Sequence, residues 1–184
     1  MNIALRRAMT VQDYLDWANA QDEAPRTELI NGHIVAMAAE RAVHFEVKLA
    51  AVNALGAAIK RAGINCHAMT DGPTVRIDDH TAYGPDSLVY CGEKVHPDSL
   101  TVSNPVIIVE VLSPTSRHTD TSAKLIGYFT LPSVHHYLII DPDARTVTHH
   151  SRANNGAISE QTLTTEELDL DPPGIKVVAS DLLG

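Results

Sequence analysis

Apolar positions along this chain switch between a helical and an extended period. In residues 10–20, Val11, Tyr14, Leu15 and Ala18 recur at helical spacing. Thr10 with Asp13 forms a capping-box signature at the start, with Asp a weaker partner than Glu. A polar link at 21–26 leads into two extended runs, 27–30 and 33–37, on either side of Asn31-Gly32, the strongest short hairpin signal in the chain. Residues 42–62 predict a long helix whose stripe is Val43, Val47, Ala50, Ala51, Ala54, Leu55, Ala58 and Ile59, stopped by Gly63. Its many alanines permit close approach to a sheet. Strands follow near 64–69, 74–77, 87–91 and 105–112, then a turn at 113–116. A second helix spans 119–130, capped by Thr119 or Asp120 and ended by Pro132. An apolar strand at 135–141 closes in the turn Asp141-Pro142-Asp143, and 146–150 pairs back on it. From 151 the signal weakens into short strands and a polar turn.

These elements predict one α/β domain over 1–184, with a mixed central β-sheet flanked by the 42–62 and 119–130 helices and preceded by an N-terminal β-hairpin. The core lies in about 10–150, and 151–184 adds C-terminal strands. At 184 residues the chain is long enough for a real core, and 44% hydrophobic with 20% charged residues is ordinary for a globular protein. No run approaches the roughly 18 apolar residues of a membrane span, and the N-terminal residues lack a signal peptide's apolar centre. The expectation is a cytoplasmic protein without a membrane partner. Cys66 and Cys91 fit no Cys-x-x-Cys pattern, so reduced core thiols are expected. A net charge of −9 argues against holding nucleic acid by bulk electrostatics. It leaves open a metal-dependent enzyme with a local basic patch or a groove built by dimerisation. With 4% aromatics, a stacking platform for single strands is not expected.

Candidate chemistry begins at Glu110. It sits in Pro105-Val106-Ile107-Ile108-Val109-Glu110-Val111-Leu112, where seven of eight residues are apolar. Such a run reads as a buried strand, and a lone ionised carboxylate there costs several kcal/mol. Glu110 must therefore have a metal cation, a Lys or Arg, or a proton, unless it lies at the strand's wet end. Asp86 stands 24 residues earlier, at the mouth of the 87–91 strand. It is either a turn residue after Pro85 or the second of two carboxylates converging from neighbouring strands, a donor set suited to Mg²⁺.

The helix after Glu110 carries Asp120 and Lys124 on one face. They form either a surface ion pair or a site in which Lys124 approaches Glu110. Beside metal-bound carboxylates, a Lys can orient water and offset transition-state charge. Glu28, in the first hairpin strand, is either a further acid at the site or a solvent-facing residue. His44, near the start of the long helix, reaches the site or is exposed. In the pairs His135-His136 and His149-His150, alternation sends one ring of each toward solvent. No His-x-x-x-His pair, phosphate loop or Gly-x-Ser-x-Gly elbow is present.

The ordered set Glu28-Leu29-Ile30-Asn31-Gly32, His44 on a long helix, Pro85-Asp86, Val109-Glu110-Val111-Leu112-Ser113-Pro114, Asp120, Lys124, Tyr128 and Tyr137-Leu138-Ile139-Ile140-Asp141-Pro142 resembles the Uma family of putative restriction endonucleases, within the PD-(D/E)XK nuclease superfamily. The resemblance covers about residues 10–150. It implies a restriction-endonuclease-like core and a Mg²⁺-dependent (or Mn²⁺-dependent) site hydrolysing DNA phosphodiesters. Asp86 and Glu110 match the two acidic motif positions, and the Val111 carbonyl is a further implied metal ligand. Where the superfamily has a Lys two residues after the second acid, this chain has Leu112. In the Uma family a Lys from the following helix replaces it, and Lys124 matches that position. Glu28, His44 and Asp120 are implied as supporting residues. A homodimer is expected, because cutting a duplex needs two sites. The alternative is a nuclease-fold module that has lost catalysis and acts by binding.

Overall fold

The computed structural model describes residues 8–21, 26–71, 73–113 and 120–184. Helix α1 (Val11–Asn19) opens with the capping box formed as expected: the Thr10 side chain accepts from the Asp13 N–H, and the Asp13 carboxylate accepts from the Thr10 N–H. Strands β1 (Thr27–Ile30) and β2 (His33–Ala36) pair antiparallel around Asn31 and Gly32, both at positive φ. That geometry is what Asn-Gly supplies cheaply in a two-residue turn. Helix α2 (Ala42–Ala62) stops at Gly63, which takes the left-handed conformation at φ 66°.

Six further strands and one helix build the centre. They are β3 (Cys66–Thr70), β6 (Ser87–Cys91), β7 (Pro105–Val111), α3 (Asp120–Thr130), β8 (His136–Asp141), β9 (Thr146–Arg152) and β10 (Ile158–Leu163). The sheet order is β10-β9-β8-β7-β6-β3, with β7 and β8 parallel and the other pairs antiparallel. The α3 crossover is what permits the parallel pair. Two very short strands, β4 (Val75–Arg76) and β5 (Ala82–Tyr83), join the hairpin in a second sheet ordered β2-β1-β5-β4. The C-terminal signal resolves into a hairpin of β11 (Glu167–Leu170) and β12 (Ile175–Val178), followed by a 3-10 turn at Ala179–Leu182.

Strand alternation sorts the core into two layers. Val89, Ile107, Val109, Val111, Leu138 and Ile140 face α2 and the β11–β12 hairpin. Leu88, Ile108, Tyr137 and Ile139 face the layer that holds Tyr83 and Tyr128. Glu110 has the parity of Ile108, so the same alternation turns it toward α3. Leu112 shares that parity and packs, partly buried, against the α3-side layer.

Three expectations are corrected. Cys66 and Cys91 are direct cross-strand partners of β3 and β6, with Cα atoms 3.9 Å apart, and they form a disulfide rather than reduced thiols. Second, His149 and His150 are both buried, although they point to opposite faces, because both faces of β9 are covered. His149 bonds His136 at 2.9 Å, and His150 stacks on Tyr137. Third, α2 is long and apolar enough, by length and composition alone, to cross a bilayer. In this fold its Val47, Ala51, Leu55, Ala58 and Ile59 belong to the core.

Candidate functional site

Register brings the two principal acids together. Ser87 pairs with Val109 and Leu88 with Ile108, so Asp86 lies one step beyond the last β6–β7 pair, alongside Glu110. The Val111 N–H donates to Asp86 Oδ2 at 2.7 Å, which fixes the carboxylate against the β7 backbone. Glu110 enters from β7, Lys124 from α3, Glu28 from β1 and His44 from the first turn of α2. All five, with Val111, line one open cavity of about 350 Å³. Each of those five charged or imidazole side chains is buried.

The charges separate into two linked groups. In the first, the Lys124 ammonium lies 2.8 Å from Glu28 Oε1 and 3.1 Å from Glu110 Oε1. Tyr128, one helical turn further along α3, donates its hydroxyl to Glu110 Oε1 at 2.8 Å, and the Gly84 N–H donates to Glu28 at 3.0 Å. Tyr83 fixes this side of α3: its ring packs edge-on against Tyr128 and beneath the Lys124 ammonium, and it lies where a side chain on Gly127 would project. Burial pushes the Glu110 carboxyl up to about 8, because Lys124 only partly offsets the lost solvation and the charges of Asp86 and Glu28 add to it. The same burial and the Glu110 charge drive the Tyr128 hydroxyl well above its ordinary value.

In the second group, the Lys48 ammonium contacts Asp86 Oδ1 at 3.1 Å, Asp71 Oδ1 at 2.5 Å and Glu40 Oε1 at 3.0 Å. Arg26 pairs with Glu40 and lies 3.0 Å from Asp71 and 3.8 Å from Asp86. His44 Nε2 is 3.3 Å from Asp86 Oδ2. Burial works against a charge on Asp86, but His44, Lys48 and the Val111 N–H outweigh it and hold the carboxyl down at about 2. Two neighbouring carboxyls are thus driven in opposite directions, a pattern that clusters at functional sites.

Two of the Glu110 alternatives hold together: it is buried with Lys124 as its partner, and with its carboxyl raised to about 8 it also keeps a proton at neutral pH. Glu28 faces the site rather than solvent, since β1 is covered on both faces. His44 is buried rather than exposed. Lys124 turns into the cavity, while the Asp120 side chain lies outside the described residues. Sequence reasoning missed Lys48, Glu40, Asp71 and any role for Tyr128. A signal for Lys48 was present: it lies four residues after His44, hence on the same helix face, beside the buried stripe.

Oxygen donors from Asp86, just before β6, and Glu110, on β7, suit a hard divalent cation, which has to displace the Glu110 proton to bind. Ligand atoms of Glu40, His44 and Asp86 also lie within 4.8 Å of one another.

Comparison with known proteins agrees with this architecture. The chain is 26% identical over 168 residues to the uncharacterised protein sll1609 of Synechocystis sp., covering 90% of this chain and 91% of that one. Its fold matches the crystal structure of a putative nuclease belonging to DUF820 from Anabaena variabilis, with a TM-score of 0.74. That match covers 95% of this chain and 97% of the other at 16% identity. The family model for Uma2, described as putative restriction endonuclease, matches residues 11–179, and the chain belongs to that family.

Proposed function

We propose that this protein is a metal-dependent endonuclease that hydrolyses DNA phosphodiester bonds, with Asp86, Glu110 and Lys124 as its reacting core. The observation that carries the reading is the pair of buried carboxylates, Asp86 at the mouth of β6 and Glu110 on β7, set against an equally buried lysine from α3. Asp86, Glu110 and the Val111 carbonyl would hold Mg²⁺ or Mn²⁺. When bound, such an ion supplies a Lewis acid that lowers the pKa of water and stabilises charge on the phosphate oxygens.

The remaining work belongs to the protein's own groups. The Lys124 ammonium, anchored by Glu28 and Glu110, orients the attacking water and offsets negative charge growing on phosphorus. Tyr128 and Gly84 fix the two carboxylates that anchor it, so Lys124 is positioned from both sides. Lys48 and His44 keep Asp86 ionised and oriented. A two-fold dimer, supplying one site per strand, is part of this proposal.

A second reading is a non-catalytic module. It is favoured by the two lysines already seated against the acids and by the net charge of −9. Incubation of supercoiled plasmid with Mg²⁺ or Mn²⁺ separates the two. The nuclease reading expects nicked and linear products from the wild type and none from Asp86→Asn or Lys124→Met. Intact plasmid and intact linear DNA of varied sequence, from folded wild-type protein, would favour the module.

A further inference from the structure

We infer that the outer face of α2 is the surface through which two copies of this chain pair, helix against helix and antiparallel about a two-fold axis. The inner face of α2 gives Val47, Ala51, Leu55, Ala58 and Ile59 to the core. The helix carries more apolar residues than that core uses: its apolar stretch is long enough to cross a bilayer, yet only 39% of it is buried. The surplus is ordered. Ala42, Phe45, Leu49, Val52 and Gly56 recur at alternating steps of three and four, the seam of a helix that packs on another helix. Phe45 is 60% exposed and Leu49 49%. Large apolar side chains left this open at seam spacing mark an interaction surface.

The seam is complementary to itself. Its largest side chain, Phe45, stands toward one end, and Gly56, which has no side chain, stands at the other. A Cβ at Gly56 would meet nothing within 4 Å, so the gap is open. An axis crossing α2 between Ala50 and Ala51 lays Phe45 over the second copy's Gly56 and Leu49 against its Val52, each contact occurring twice. The flank agrees: exposed Glu46 comes alongside the second copy's Asn53, a neutral hydrogen-bonding group rather than a second acid. Antiparallel helices also set their dipoles head to tail. A lipid surface is the other occupant for an exposed apolar helix face. It fits poorly, because such helices line their polar face with Lys and Arg. Here the flank reads Glu46, Asn53 and Lys60, on a chain of net charge −9.

This surface supplies the two-fold dimer of the proposed function, but it rests on packing and not on DNA cleavage. The seam contains none of the residues that line the catalytic cavity.

The test is the molar mass of the full chain by light scattering at micromolar concentration, with sedimentation giving the dimer constant. The wild type should be a dimer. Leu49→Glu should weaken it at least about a hundredfold, because the change enters the centre of the interface twice. Gly56→Leu should weaken it about tenfold or more, by filling the space that Phe45 takes. Leu49 is exposed and Gly56 faces open space, so both variants fold. Adding Phe45→Ala to Gly56→Leu should recover most of the loss, a rescue that damage within one chain would not give. A monomeric wild type overturns the inference, whether or not it sediments with phosphatidylglycerol vesicles. So does a dimer that both single variants leave intact, or one that Phe45→Ala fails to rescue. Plasmid cleavage is read separately: a dimer that does not cut removes the nuclease reading alone, and a cutting monomer removes this inference alone.

Discussion

Replacing Glu110 by Gln should make the metal-free protein more stable at pH 8 and above, although it removes a residue proposed to be essential. The Glu110 carboxyl stands at about 8 in the fold, against an ordinary value of 4.5. The folded state therefore holds this proton more tightly than the unfolded state does. For a raised carboxyl the linked stability is fully present below pH about 4.5 and is lost progressively as pH rises toward 8. Each pH step across that window costs about 1.4 kcal/mol, so the ionised carboxylate destabilises the fold by roughly 3–5 kcal/mol at pH 8. Gln keeps the shape and accepts from Tyr128 without carrying charge, and Lys124 retains Glu28 at 2.8 Å. For a chain of this size each kcal/mol moves Tm by about 2–4 °C, so Glu110→Gln should melt roughly 10 °C higher at pH 8 in EDTA. The gap should close by pH 5. Thermal melts followed by circular dichroism from pH 5 to 9 measure it. Parallel melting curves across that range would refute the claim that Glu110 is a desolvated charge at the edge of ionisation.

Asp86 should behave with the opposite sign. Its carboxyl is held at about 2, so its stabilisation is present above the ordinary range and lost as pH falls toward 2. Asp86→Asn should cost about 2 kcal/mol at pH 7 and nothing near pH 2, as read by urea denaturation. Lys124→Met leaves Glu28 and Glu110 without their shared cation and should destabilise by about 3 kcal/mol at pH 8; a melt within 2 °C of wild type would contradict the pairing. Gly127→Ala should lower Tm despite alanine's better helix propensity, because a Cβ there would lie 2.8 Å from the Tyr83 ring, which packs against Tyr128. The native, unreduced protein should show no free thiol toward a thiol-reactive dye, and reduction should cost about 3 kcal/mol for a loop spanning 25 residues.

Much of this fold was legible because local signals and tertiary packing agree. Asn31-Gly32 forms its turn, Gly63 ends α2, and the apolar run around Glu110 becomes the strand between β6 and β8. Where they diverge, contacts distant in sequence decide. β5 has only two residues and is held by pairing with β1 and β4, so no periodicity announces it. Cys66 and Cys91 became partners through the β3–β6 register, which spacing alone does not reveal. In the site, Glu110 stood out because its apolar run made a charge there anomalous, and Asp86 because it stands at the mouth of the preceding strand. Lys48 did not, since its carboxylate partners Glu40, Asp71 and Asp86 come from three separate stretches of chain. Glu28 was ambiguous for the same reason: alternation within β1 says nothing about what covers each face.

In the proposed site Asp86 and Glu110 hold a divalent cation together. Calorimetric titration of Mg²⁺ and Mn²⁺ into the wild type and Glu110→Gln, each with and without a DNA duplex, tests that most directly. The prediction is binding by the wild type, strengthened by DNA and abolished for Mg²⁺ in Glu110→Gln. Wild-type protein that binds neither ion even with DNA present, or a variant that binds Mg²⁺ equally well, would contradict it and leave Glu110 as a buried structural charge.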